Sequence, residues 1–146
     1  MIDVGQKIRK ALYNSLVGQI TIDGKVVQLV DEKLDSNIAD IDVYVMFTSQ
    51  SETQRDLKNV WIREVDVVLQ IINQRLTTNN REIVEDVSNQ ILNRLYPSKG
   101  VSNITIDSPL RLSYSTLIAA DYNPIVQTEN GFIVSKSLTL RNRITQ

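Results

Sequence analysis

The chain has 146 residues, a length that suits one domain around one core. Its hydrophobic fraction of 42% and charged fraction of 23% are ordinary for a soluble globular protein. With 16 basic residues against 17 acidic ones, the net charge is −1, and the basic excess that tight nucleic-acid backbone binding draws on is missing. Neither cysteine nor histidine occurs. This excludes disulfides, thiolate nucleophiles and Cys-ligated zinc, and with them Ser-His-Asp and Cys-His catalysis. Only carboxylate, lysine, tyrosine or serine–lysine chemistry stays open.

The apolar runs all fall short of the ~18 residues of a membrane-spanning helix, so no membrane partner is expected. Residues 1 to 12, MIDVGQKIRKAL, lack the basic start, apolar middle and small-residue cleavage site of a signal peptide. The chain is therefore expected to stay in the cytoplasm of the cell that makes it, or to enter a larger particle there.

In chain order, Val4, Ile8, Ala11, Leu12 and Leu16 repeat at helical spacing, and Gly18 stops the helix. Asp23-Gly24 between two short β-rich runs predicts a tight hairpin. Residues 31 to 40, DEKLDSNIAD, read as an exposed connection. Residues 41 to 48, IDVYVMFT, are continuously apolar after the first aspartate, the pattern of a strand buried on both faces. Residues 49 to 58, SQSETQRDLK, are polar throughout and read as a mobile loop or as the exposed tip of two extended strands.

Residues 60 to 72 predict a strand of ~40 Å at ~3.3 Å per residue. Trp61, Arg63, Val65, Val67, Leu69 and Ile71 share one face. Val60, Ile62, Glu64, Asp66, Val68, Gln70 and Ile72 share the other. Asn79, with Glu82 three residues on, predicts a capping box for a helix through Ile83, Val87, Ile91 and Leu95, closed by Pro97 and Gly100. Residues 101 to 120 hold two β-like runs broken at Ser108-Pro109, the second with Leu110, Leu112, Tyr114, Thr116 and Ile118 on one face. Asn123-Pro124 and Glu129-Asn130-Gly131 are turn signals. A last run alternates through Phe132, Val134, Leu138 and Leu140, and residues 141 to 146, RNRITQ, read as a polar arm. The expected fold is α+β, a mainly antiparallel twisted sheet with two helices packed on one face.

Chemistry-bearing residues are few. Glu64 and Asp66 lie two apart on one strand, so their carboxylates share a face and are the pair a divalent cation or acid–base step would need. Asp40 and Asp42 form a second such pair, and Asp31, Glu32 and Asp35 an acidic stretch. Each reads more simply as solvated surface, and no metal or cofactor site is expected. Arg55, Lys58 and Arg63 cluster at the polar tip, and Arg141 and Arg143 sit in the tail. These five suit ion pairs between subunits or equally a merely solvated tip and tail, while Trp61 suits core or interface. Asn103-Ile104-Thr105 matches a glycosylation sequon by chance.

The element order is an N-terminal helix through Ile8 and Leu12, a hairpin, a strand through residues 43 to 47, a polar connection, a long strand, an Asn-capped helix and closing strands. It resembles the tail-terminator and tail-completion proteins of tailed bacteriophages, grouped with head–tail joining or neck proteins. The resemblance covers most of the chain and rests on order, length and pattern rather than on a short motif. Residues 101 to 131 are longer than that family's closing strands. The resemblance implies a structural virion protein without enzymatic activity: a homo-oligomeric ring at the head–tail junction, hexameric or with twelve subunits, touching head-connector and tail proteins while DNA passes through. Arg55, Lys58, Trp61, Arg63, Glu64, Asp66, Arg141 and Arg143 are then expected at subunit interfaces. A cytoplasmic interaction adaptor and a metal–carboxylate nuclease using Glu64, Asp66 and Asp42 are the alternatives.

Overall fold

A computed structural model describes residues 3–31, 42–74, 80–128 and 131–146. Helix α1 spans Val4–Leu16. The Asp3 carboxylate accepts the Gln6 amide at 3.0 Å and caps its first turn. Asp23 and Gly24 both take positive φ, +52° and +76°, and join β1 (Thr21–Ile22) to β2 (Lys25–Val26), as the Asp-Gly signal requires.

Five strands make the main sheet, in the order β3 (Gln28–Asp31), β4 (Val43–Gln54), β5 (Ile62–Asn73), β8 (Gly131–Thr145) and β6 (Arg111–Tyr122), with the short β7 (Val126–Thr128) paired to the start of β8. All pairings are antiparallel except β3 with β4, so the sheet is mixed and the fold α+β. The parallel edge strand β3 has no counterpart in the sequence reading, because four residues after a hairpin carry too little periodicity to show.

The continuous apolar run in β4 is explained by burial on both sides. Val43, Val45 and Phe47 enter the main core, while Tyr44 and Met46 join Val30, Ile72 and Ile133 in a smaller cluster on the opposite face. On β5, Val65, Val67, Leu69 and Ile71 are fully buried in the main core, as their spacing predicts. Ile8, Leu12 and Leu16 of α1 enter this same core, and so do Val84, Val87, Ile91 and Leu95 of α2 (Asn80–Leu95). Each such side chain contributes on the order of 2 kcal/mol by leaving water. Glu82 lies in the first turn of α2, and the expected Asn79 cap falls outside the described residues, as do residues 32–40 of the acidic connection, with Glu32, Asp35 and Asp40, and residue 41 of the run that follows.

Three expectations are corrected. Residues 141–145 are not a free arm: they form the end of β8, hydrogen-bonded between β5 and β6 in the middle of the sheet. Their polarity misleads because Arg141 and Arg143 point to the charged outer face, whereas inward-pointing Asn142 has its amide satisfied. Residues 102–107 form no strand. Asn103 instead closes α2, donating its backbone N–H to the Leu95 carbonyl at 2.8 Å and its side-chain amide to the Arg94 carbonyl at 3.1 Å. Finally, β6 does not alternate strictly. Bulges after Leu112 and after Leu117 shift the phase, so Leu112 and Leu117 face inward while Tyr114 and Thr116 face outward.

Candidate functional site: a charged outer face and a polar tip

The antiparallel register sets the site. Across the sheet, Thr53, Glu64, Arg143 and Tyr114 stand side by side, and next to them Ser51, Asp66, Arg141 and Thr116. Residues directly opposite in register share a face, so these two rows lie on the outer face, away from the main core.

Glu64 is the centre of the first row. Arg55 Nε lies 2.8 Å from its Oε2, Arg143 Nη2 lies 3.3 Å from Oε1, and the Tyr114 hydroxyl donates to Oε1 at 3.1 Å. Its side chain is only 8% exposed. Burial pushes the Glu64 carboxyl up, but the Tyr114 hydrogen bond and the two guanidinium charges outweigh burial and hold it below the usual carboxylate range. Arg143 lies over the Tyr114 ring, 5.0 Å from its centroid, and its Nε is buried without an acceptor among the described residues. In the second row, Arg141 grips Asp66 with two hydrogen bonds, and these raise the Arg141 pKa.

The polar tip is the end of the β4–β5 hairpin rather than a loop. Leu57 and Val60 exchange backbone hydrogen bonds at 3.0 and 2.7 Å around Lys58, whose φ is +45°, and Asn59. Asp56 accepts from Gln54 at 2.6 Å and from Arg63 at 2.7 Å, and these bonds hold its carboxyl low. The Arg63 guanidinium lies 4.2 Å above the Trp61 ring, and Trp61 packs at the margin of the main core.

Of the eight residues singled out in the sequence, Arg55, Glu64, Asp66, Arg141 and Arg143 are thus brought together on the outer face. Arg63 and Trp61 form a separate stack on the core face, and Lys58 lies at the turn itself. Tyr114 completes the Glu64 cluster and was missed, because uninterrupted alternation assigns it to the apolar face with Leu112. Ser115 and Asn142 were missed too. Tyr96 donates to Ser115 Oγ across 2.7 Å, Ser115 donates to Asn142 Oδ1 at 2.7 Å, and Asn142 donates to the Val65 carbonyl at 3.1 Å. No composition signal marks a polar relay that runs from half-buried Tyr96 and Ser115 to buried Asn142.

Glu64 and Asp66 share a face, as their spacing requires, but their oxygens are already taken by guanidinium and hydroxyl donors. A divalent cation there would have to displace three arginines. Among the described residues, no group of three or more acidic side chains is placed to hold a metal ion.

No protein-family model matches the chain, and no curated protein matches it. Among solved structures, the chain is similar to one in the virion of a native gene transfer agent (GTA) particle, with a TM-score of 0.72 and 14% sequence identity. The alignment covers 100% of both chains, so the likeness is one of the whole fold and not of a fragment.

Proposed function

We propose that this chain is a structural protein of a virion, a ring-forming subunit at the head–tail junction of the tail-terminator or neck-ring kind, through which DNA passes. The observation that carries the reading is the whole-chain fold likeness to a chain of a virion particle. In this reading residues 1–146 form one tail-terminator-like domain, and both helices pack on one face of the sheet. Their sharing of one core with alternate residues of β5 supports that placement.

The opposite face and the tip are then left for contacts between copies. Arg55, Lys58, Trp61, Arg63, Glu64, Asp66, Arg141 and Arg143 lie in or beside those contacts, and a hexamer is favoured over a twelve-subunit ring. Head-connector and tail proteins are the further partners, and the place of action is the virion. Near-neutral charge suits a channel, since strong phosphate contacts would slow DNA passage. Occupation of both outer-face carboxylates by arginine supports a role without catalysis.

Negative-stain images and light scattering of the purified protein test this. Annular particles at a multiple of the chain mass are expected. A monodisperse monomer at micromolar concentration overturns the ring.

A further inference from the structure

Two stretches of sheet edge are open among the described residues. Strand β3 covers β4 only from Tyr44 to Phe47, which leaves the outer edge of residues 50–54 unpaired. At the far side, β6 ends the sheet order with its outer edge free over 12 residues. Long open edges are normally guarded by charge or proline. Between Arg111 and Asp121, β6 has neither, and it exposes Tyr114 and Ile118. Its edge also borders a groove of about 640 Å³, lined by Leu92, Tyr96, Val101, Leu112 and Leu117.

We propose that these two edges pair with each other between neighbouring copies, residues 50–54 of one chain beside residues 112–117 of the next, so that the sheet runs on through the ring. The inference rests on the ring reading, and two features of the fold support it. The first is direction. Three successive antiparallel pairings, β4–β5, β5–β8 and β8–β6, make β6 antiparallel to β4. Rotation about a ring axis keeps each strand's direction along that axis, so the neighbour's β4 meets β6 antiparallel.

The second feature is height. Thr53 is level with Tyr114, Ser51 with Thr116 and Gln50 with Leu117 across the sheet, and rotation without translation preserves those levels when the strands run along the ring axis. The open length ends where β3 takes over, level with Ala120. Such an interface is heterologous, joining two different edges, and heterologous contacts are the kind that close rings.

The absence of native cysteine makes a direct test available. Within one chain β4 and β6 are three strands apart, ~14 Å, beyond the ~7 Å that a disulfide spans between α-carbons. A protein carrying Ser51→Cys and Thr116→Cys together is oxidised, resolved on a denaturing gel and sized in parallel by light scattering. The expected result is a ladder of dimer, trimer and higher species that collapses on reduction, with each single variant staying monomeric on the gel. Thr53→Cys with Tyr114→Cys probes the next row and is expected to give the same ladder. Ring-sized particles without a ladder in either pair overturn the edge pairing and leave the ring standing. Dimers from Thr116→Cys alone show β6 paired with itself about a two-fold axis, which also overturns it. A monomer in solution with no cross-links overturns pairing and ring together.

Discussion

Arg141 and Asp66 stand directly opposite on adjacent strands and meet through two near-parallel hydrogen bonds, Nε to Oδ1 at 2.9 Å and Nη2 to Oδ2 at 3.0 Å. The pair is open to solvent, with the arginine side chain 41% exposed, so water and salt screen it. Its expected importance lies between copies rather than within one. Replacing both, as Asp66→Asn with Arg141→Gln, is expected to leave the melting temperature of the isolated chain nearly unchanged. In the ring reading, the same change reduces the proportion of large particles in light scattering. A large loss of thermal stability would instead make the pair part of the fold.

Glu64 should give stability a pH dependence. Its folded-state pKa is depressed, so it binds protons less readily folded than unfolded. The stabilisation is present above the unfolded carboxylate value of ~4.3 and is lost as pH falls through the lower folded value. Glu64→Gln is expected to lower stability near neutral pH and to flatten the decline on acidification. Melting temperatures taken from about pH 7 down to about pH 3 check this, and parallel curves for the two proteins count against it.

The Tyr96–Ser115–Asn142 relay should act as a unit. Asn142 is fully buried and holds the Val65 carbonyl, so Asn142→Leu leaves buried polar groups without partners and is expected to cost ~1–3 kcal/mol in urea unfolding. Tyr96→Phe and Ser115→Ala share one hydrogen bond. Their double variant is expected to be less destabilised than the sum of the singles, by ~0.5 kcal/mol or more.

Apolar residues divide sharply by position. Leu69 is fully buried between β4 and β8, and Leu69→Ala is expected to cost ~2–5 kcal/mol through lost burial and a residual cavity. Leu57 at the tip is 66% exposed, and Leu57→Ala is expected to change stability by no more than ~0.5 kcal/mol. Equal effects in chemical denaturation would contradict the division between core and tip.

What the sequence determined by itself is the set of elements with clear periodicity. Ile8, Leu12 and Leu16 announced α1, Asp23-Gly24 the hairpin, Val65 to Ile71 one face of β5, and Val84 to Leu95 the buried stripe of α2. In each, the folding constraint is local, a repeat of 3.6 or 2 residues or a turn that needs positive φ. Tertiary structure decided what depends on partners remote in sequence. Residues 141–145 look like a solvated arm until β5 supplies Glu64 and Asp66 opposite Arg143 and Arg141. Tyr114 belongs to the outer face only because a bulge against β8 inserts one residue after Leu112. Strand β3 is a strand only because residues 44–47 of β4 lie alongside it. Register and bulges are set by pairing across the sheet, and a one-residue shift exchanges the two faces of a strand. Reading along the chain therefore found the charged residues, while their assembly into one outer face came from the fold.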